Sequence, residues 1–279
     1  MSEFRSAYLD WPSEISIETF SKCNASCTFC PYTTLDRIGT KMPDEMIDRI
    51  IEELKDHPGA FMIAPFKLNE LFLDKRWESI CRKVNAELPN AYLRLFSNGS
   101  TLTEKNIRGV AQLERVVHLW VSLNDHDPVR YHETMGLNFD RTVANLDRLF
   151  EIKENGHFPH DVVISKVRER NERDAEFTEF VRSRWPTFGV HLIKRDSWTG
   201  YTIDEGGPVP ATPCGRWFEV NICADGKVAL CCMDSGEHAI GDLNTQTLFE
   251  VYNQPEQRNR RRFMLSRLDV GGPCNGCNY

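Results

Sequence analysis

The stretch ISIETFSKCNASCTFCP, residues 15–31, runs from a short β-rich segment straight into three cysteines, Cys23, Cys27 and Cys30. A strand at 15–20 followed by a thiol-bearing loop puts soft ligands at a strand's carboxyl end, where parallel α/β sheets carry their chemistry. The chain after it keeps a strand-then-helix rhythm. Pro43 suits a first helical position, with Asp44 and Glu45 in the first turn, and Met46, Ile47, Ile50, Ile51 and Leu54 recur at helical spacing. FMIAPF (61–66), AYLRLFSNG (91–99), VVHLWVSLN (116–124), DVVISKV (161–167) and GVHLIKR (189–195) read as further strands. Helices are expected over about 73–88, after the cap Thr103, near 138–154 and near 172–184. Six such units predict an α/β fold, a partial (β/α)6 barrel of parallel strands with right-handed crossovers.

Composition narrows the function classes. The 279 residues carry 34 Lys and Arg against 41 Asp and Glu, a net charge of −7, which gives little help in binding nucleic acid or an anionic membrane. No stretch approaches the roughly 18 apolar residues of a membrane span. The opening MSEFRSAYLDWPSE lacks the basic head and apolar body of a secretory signal. The expectation is a cytoplasmic protein with no nucleic-acid or membrane partner. Thiols stay reduced there, so ten cysteines at uneven spacing predict ligand sets instead of disulfides. Cys81 stands alone in a helical run and suits the core, whereas Cys214, Cys223, Cys231, Cys232, Cys274 and Cys277 crowd the last 66 residues.

Three thiolates on one loop leave a cubane iron–sulfur cluster one ligand short, so one iron stays open. A structural zinc site or a fragment of a ferredoxin loop is the other reading, although zinc sites favour paired Cys-x2-Cys knuckles. The sequence KCNASCTFCP (22–31) resembles the cluster loop of the radical S-adenosylmethionine (SAM) superfamily, including Phe29 before the last cysteine. That resemblance implies a [4Fe–4S] cluster on Cys23, Cys27 and Cys30 with SAM chelating the open iron. It further implies cleavage of SAM to a 5′-deoxyadenosyl radical that abstracts a substrate hydrogen. Leu68-Asn69-Glu70 stands where the family often has Gly-Gly-Glu, which gives Asn69 and Glu70 as SAM contacts. Ser97 and Asn98 after the third strand, and Ser122 and Asn124 after the fourth, fall where the family's ribose and carboxylate contacts lie. On their own these residues are equally ordinary strand-end capping. Lys166 and Arg195 could hold a substrate carboxylate or hydroxyls, or face solvent.

DEGGPVPATP (204–213) reads as a linker between a barrel at 1–203 and a compact unit at 214–279. FEVNIC (218–223) and KVALCC (227–232), joined through Ala224, Asp225 and Gly226, predict a β-hairpin, and a helical region follows near 246–267. Spacing alone allows Cys214, Cys231, Cys274 and Cys277 to be a four-cysteine zinc knuckle. After such a barrel, the unit resembles the twitch form of the SPASM extension, which implies an auxiliary [4Fe–4S] cluster on those four. Only Asn278 and Tyr279 follow Cys277, so a second auxiliary cluster is not expected. Cys232 alternates to the opposite face from Cys231; Cys223 and Cys232 are each either a buried small residue or a thiol that returns hydrogen to a substrate radical. Arg258, Arg260, Arg261 and Arg262 spread over more than one helix face and read as solvated or as a partner contact.

The chain enters its first strand by residue 15, without the leader-recognition domain common in peptide-modifying relatives. A small molecule is therefore expected, and likeness to the aminocyclitol-oxidising members of the family suggests a polyol, sugar or cyclitol. The expected reaction oxidises a secondary alcohol, with the auxiliary cluster accepting the electron and a flavodoxin- or ferredoxin-type donor reducing the first. Epimerisation through Cys232 and peptide maturation are the alternatives.

Overall fold

Alternating apolar residues divide each strand of the repeat into two faces. Ile15 and Ile17 of β1 (Glu14–Ile17) turn toward the helices and are buried, as are Leu93 and Leu95 of β3 (Ala91–Ser97) and Val162 and Ile164 of β5 (Asp161–Val167). Burying each such side chain contributes about 1.5–3 kcal/mol. The computed structural model describes residues 7–203 and 205–279; residues 1–6 of the expected barrel segment and Asp204 of the expected linker lie outside the described residues. With β2 (Phe61–Ala64), β4 (Val116–Ser122) and β6 (Gly189–Ile193), the six expected strands form a parallel array in sequence order.

The helices form where the apolar spacing places them, with informative differences. The first, α1 (Asp44–Leu54), starts one residue late because Pro43 caps it instead of entering it. It is followed by α2 (Trp77–Glu87), which buries Cys81, and α3 (Glu104–Ala111), capped by the Thr103 hydroxyl. An unanticipated helix, α4 (Pro128–Met135), precedes α5 (Phe139–Glu154). Asp127 caps it through Val129 and Arg130 N–H at 3.0 Å, and Gly136 ends it at φ 68°. It buries only Tyr131 and Met135, too thin a stripe to show as periodicity. After β5 comes α6 (Glu172–Arg184).

The C-terminal segment does not form a separate layer. β7 (Glu219–Ile222) pairs parallel with β1 in register from Glu14↔Glu219 to Ile17↔Ile222, and β8 (Lys227–Ala229) and β9 (Ala239–Asp242) add antiparallel strands. One nine-stranded sheet results, in the order β6-β5-β4-β3-β2-β1-β7-β8-β9. The expected hairpin strand 227–232 stops at Ala229, so Cys231 and Cys232 lie in the loop leading to β9. β9 was not anticipated, because Ala-Ile-Gly-Asp carries almost no strand pattern. The helical region splits into α7 (Leu248–Tyr252) and α8 (Pro255–Phe263), since Pro255 lacks an N–H and starts a new helix. The arginine run also departs from expectation. Arg258 pairs with Asp10 at 2.6 Å, while Arg261 is buried over the Tyr252 ring and donates to Tyr252 O at 2.7 Å. Arg262 alone of the run is exposed, because the others tie α8 to the rest of the fold.

Burial holds three histidines neutral: His118 is pushed down to about 4, and His57 and His160 are lowered too. His57 sits between Pro12 O, 2.8 Å from Nε2, and the Phe61 ring, 4.1 Å away. Unfolded histidines protonate near 6.5, so the unfolded chain binds more protons than the folded one as pH falls from about 6.5 toward 4. Stability is therefore full above that window and lost on acidification through it. Thermal unfolding should show a lower midpoint at pH 5 than at pH 7, and His118→Gln should reduce the difference.

Candidate cofactor sites

The first thiol loop leaves the carboxyl end of β1 and is pinned to the end of α4. Ser26 N–H donates to Met135 O at 3.0 Å and Thr28 N–H to Thr134 O at 2.9 Å. The Cys27 thiol lies 3.4 Å from the Met135 sulfur, and Cys23 Sγ accepts from Ala25 N–H at 3.4 Å. Burial pushes Cys23 up to about 12, Cys30 to about 11 and Cys27 well up, and nearby Glu70 adds to the effect on Cys23. The three thiols also oppose one another's ionisation. Such a set becomes thiolate only when bound metal charge displaces the protons. Among the described residues, no three Cys, His, Asp or Glu side chains converge as ligands of one ion. Three buried thiols on one loop, acting on one another's ionisation, suit a cluster that takes three protein ligands.

Glu70 organises the neighbouring strand ends. Its buried carboxylate accepts from Ser97 Oγ and Thr101 Oγ1 at 2.8 Å each and from Asn98 N–H at 2.7 Å, and burial raises its pKa. Asn98 Nδ2 donates to Asn24 Oδ1 at 2.8 Å within the thiol loop and lies 3.9 Å from Cys23 Sγ. Glu70, Ser97 and Asn98 are thus brought together beside Cys23. Asn69 is buried next to them: its Oδ1 accepts from Lys67 N–H at 2.9 Å, while its Nδ2 has no partner among the described residues. Asn124, in the left-handed region at φ 64°, donates to the Met135 sulfur at 3.1 Å and so meets the thiol loop through that side chain. Phe29 is half-buried against the core, and Ser122 is half-buried opposite Ser165. Lys166 is not available to a ligand on the inner face. It alternates to the helix side of β5 with Ile164, and Glu169 binds its ammonium at 2.8 Å. Arg195 is half-buried, its backbone N–H donating to Glu205 at 3.0 Å.

At the other group, Cys214, Cys231, Cys274 and Cys277 all line one cavity of about 390 Å³, walled also by the loop 196–200 after β6. Burial raises Cys214 and Cys274, and pushes Cys231 well up. Cys232 is absent from that wall. Its thiol, pushed up to about 12 by burial, instead feels Arg216, Glu219 and Lys67. Cys223 is fully buried near Arg37 and Lys67. Asp234 shapes the loop between β8 and β9, accepting from Leu230 N–H at 2.9 Å and Gly236 N–H at 3.0 Å. Lys67 Nζ donates to Asp234 O at 2.6 Å. Arg37, in the segment after Cys30, donates to Ser235 O and to Glu18 Oε2, and Glu18 also accepts from Ala224 N–H at 3.0 Å. These ties escaped the sequence reading, although charged Glu18 and Lys67 beside apolar runs were the available signal.

The sheet face turned away from the helices carries Arg94, Phe96, His118, Trp120 and Asn221. Arg94 pairs with Glu14 at 2.5 Å, Trp120 Nε1–H donates to Ser165 Oγ at 2.7 Å, and Trp120 lies 5.0 Å from the His191 ring. His118 Nε2 and both polar atoms of Asn221 are buried with no partner among the described residues. Each orphaned group costs about 1–3 kcal/mol until a ligand or water meets it.

Gly136 joins α4 to the thiol loop: a Cβ there would come within 2.2 Å of Ser26 Oγ, at a φ of 68° that L side chains resist. Gly136→Ala should cost about 1–3 kcal/mol of stability. It should also lower iron incorporation at the Cys23 loop, read by iron analysis after anaerobic reconstitution, while the four-thiol cavity keeps its share.

The family model described as the Radical SAM superfamily matches residues 17–178, and the iron–sulfur cluster-binding domain SPASM matches 214–278. The S-adenosyl-L-methionine-dependent 2-deoxy-scyllo-inosamine dehydrogenase of Niallia circulans is 28% identical over 102 residues, 36% of this chain and 41% of that protein. The alignment thus spans about two fifths of that curated relative. The crystal structure of BtrN in complex with AdoMet and 2-DOIA matches with a TM-score of 0.66 at 16% identity, covering 96% of this chain and 93% of that one. SuiB of Streptococcus suis, bound to precursor peptide SuiA, matches with a TM-score of 0.70 at 15% identity, covering 99% and 72%. At such identities the structural matches establish the fold. Among the described residues no helix is long and apolar enough to cross a membrane. The Radical SAM model covers more than half of the chain, which therefore belongs to the radical SAM superfamily; that domain implies SAM and a [4Fe–4S] cluster, and the SPASM domain implies further iron–sulfur clusters.

Proposed function

We propose that this chain oxidises a secondary alcohol of a small polyol, sugar or cyclitol. Residues 1–203 form the SAM-binding unit, and 214–279 the auxiliary unit beyond the linker 204–213. Cys23, Cys27 and Cys30 would hold one [4Fe–4S] cluster, and Cys214, Cys231, Cys274 and Cys277 the second. SAM bound with the first cluster would supply the chemistry of hydrogen-atom abstraction from the substrate. Glu70, Ser97 and Asn98 receive SAM beside Cys23, with Phe29, Asn69, Ser122 and Asn124 completing the contacts.

The observation that carries the substrate class is the set of orphaned polar atoms on the inner face, His118 Nε2 and the Asn221 amide. Hydroxyl groups answer such demands, and the Phe96 and Trp120 rings suit the C–H face of a ring compound. His118 stays neutral at physiological pH, since burial holds it near 4, and its free Nε2 is a proton acceptor for the carbinol hydroxyl. Loss of the carbinol hydrogen atom, the hydroxyl proton and one electron leaves a ketone. The group that the four-thiol cavity would hold would accept that electron, and a flavodoxin- or ferredoxin-type donor would supply the one that the SAM chemistry needs. Similarity to the 2-deoxy-scyllo-inosamine dehydrogenase supports this reading.

Cys232 favours a second reading, epimerisation, because its thiol lies among Arg216, Glu219 and Lys67 and off the cavity wall. Product analysis separates the two. Oxidation yields a product lighter by two hydrogens and survives Cys232→Ala. Epimerisation leaves the mass unchanged, incorporates one solvent deuterium and stops in that variant. For the oxidation, His118→Ala should lower kcat by about 10²–10⁴-fold. Activity should stay flat through neutral pH as far as His118 is concerned, falling only as acid protonates it.

A further inference from the structure

Three arginines lie on or beside the four-thiol cavity, and two of them keep an idle Nε–H among the described residues. Arg267 lines the cavity, is 8% exposed, and makes no ion pair with an Asp or Glu side chain among the described residues. Its Nη1–H donates to the Tyr279 carbonyl at 2.6 Å, but its Nε–H is buried without a partner. Arg260, 6% exposed, directs Nη1–H toward Cys274 Sγ at 4.0 Å, and its Nε–H is likewise buried and unpartnered. Its one carboxylate, Glu256, stands largely in solvent. Arg216 lines the same cavity, bonded to Glu219 at 2.8 Å. A buried cation is costly unless an anion answers it, and two idle N–H donors beside thiols define where that anion belongs.

The thiol loop at the start of the chain has other surroundings. Glu70 and Glu18 bear on Cys23 and Cys30, with Glu18 paired to Arg37 at 2.6 Å, and the donors to Cys23 Sγ are the neutral Ala25 N–H and Asn98 Nδ2. Adding an electron to a four-thiolate cluster increases its negative charge, so buried cations and N–H···S bonds stabilise the reduced form, and nearby carboxylates oppose it.

We propose that Arg267, Arg260 and Arg216 raise the reduction potential of the cluster in the four-thiol cavity. The inference rests on the reading that both thiol sets hold iron–sulfur clusters. The three arginines are positioning residues: they touch no substrate and act through the charge and N–H donors they place beside the thiols.

Potentiometric titration of the reconstituted holoprotein, followed by EPR, reads both clusters. In Arg267→Gln the potential of the second cluster should fall by about tenfold in its one-electron equilibrium, ~59 mV, with the first cluster unmoved. Arg267→Lys, which keeps the charge, should recover most of that loss. Arg260→Gln should shift the potential in the same direction, and it decides the matter if Arg267→Gln does not retain iron. An unmoved second potential in a Gln variant that keeps about eight irons per chain overturns the proposal, as does an equal fall at both clusters. If the unsubstituted protein binds only about four irons, the underlying reading of the cavity fails instead.

Discussion

The backbone ladder between β1 and β7, from Glu14↔Glu219 to Ile17↔Ile222, is the constraint on which both cofactor sites depend. β1 delivers the first thiol loop, and the chain on either side of β7 delivers Cys214 and Cys231. Because the two strands share one register, neither site can slip along the sheet without flipping every neighbouring side chain to the wrong face. Side-chain ties reinforce the ladder. Arg37 and Lys67 reach from the SAM-binding side into the loop that carries Cys231, and Asp234 closes that loop from within. Without β7, β1 would be left as an unpaired edge.

Much of this was legible in the sequence, for identifiable reasons. The strands Val116–Ser122 and Asp161–Val167 announce themselves because β-branched and apolar residues crowd a short run. The cysteine sets were legible because thiols clustered at ligand spacing stand out from single thiols used as small core residues. The weakly marked elements were hidden: α4 buries only two apolar side chains, and β9 has a glycine among four residues. Hidden too was everything that depends on distant partners. Nothing local distinguishes Arg261, folded over Tyr252, from exposed Arg262, nor shows that Lys166 sits on the helix side of its strand. Those fates are decided by tertiary burial, which overrides the surface habit of charged residues.

The two thiol sets differ in surroundings more than in chemistry. Both are desolvated, which disfavours free thiolate and makes metal binding the route to ionisation. Glu70 and the Arg37-paired Glu18 neighbour the first set, whereas Arg260 and Arg267 neighbour the second together with Lys67 and Asp234, so identical ligands are given unequal electrostatic settings. The inner sheet face is different again, with aromatic rings and unsatisfied polar atoms and few free charges. Three chemically distinct settings thus share one continuous sheet.

Met135 touches both Cys27 and Asn124 through its thioether, and its backbone carbonyl holds Ser26. Conversion of that sulfur to the sulfoxide would set a polar, chiral oxygen between the two contacts and force them apart. Because Met135 is almost fully buried, a peroxide would reach that sulfur only after the loop had opened, so a sulfoxide there would mark a thiol loop already disturbed.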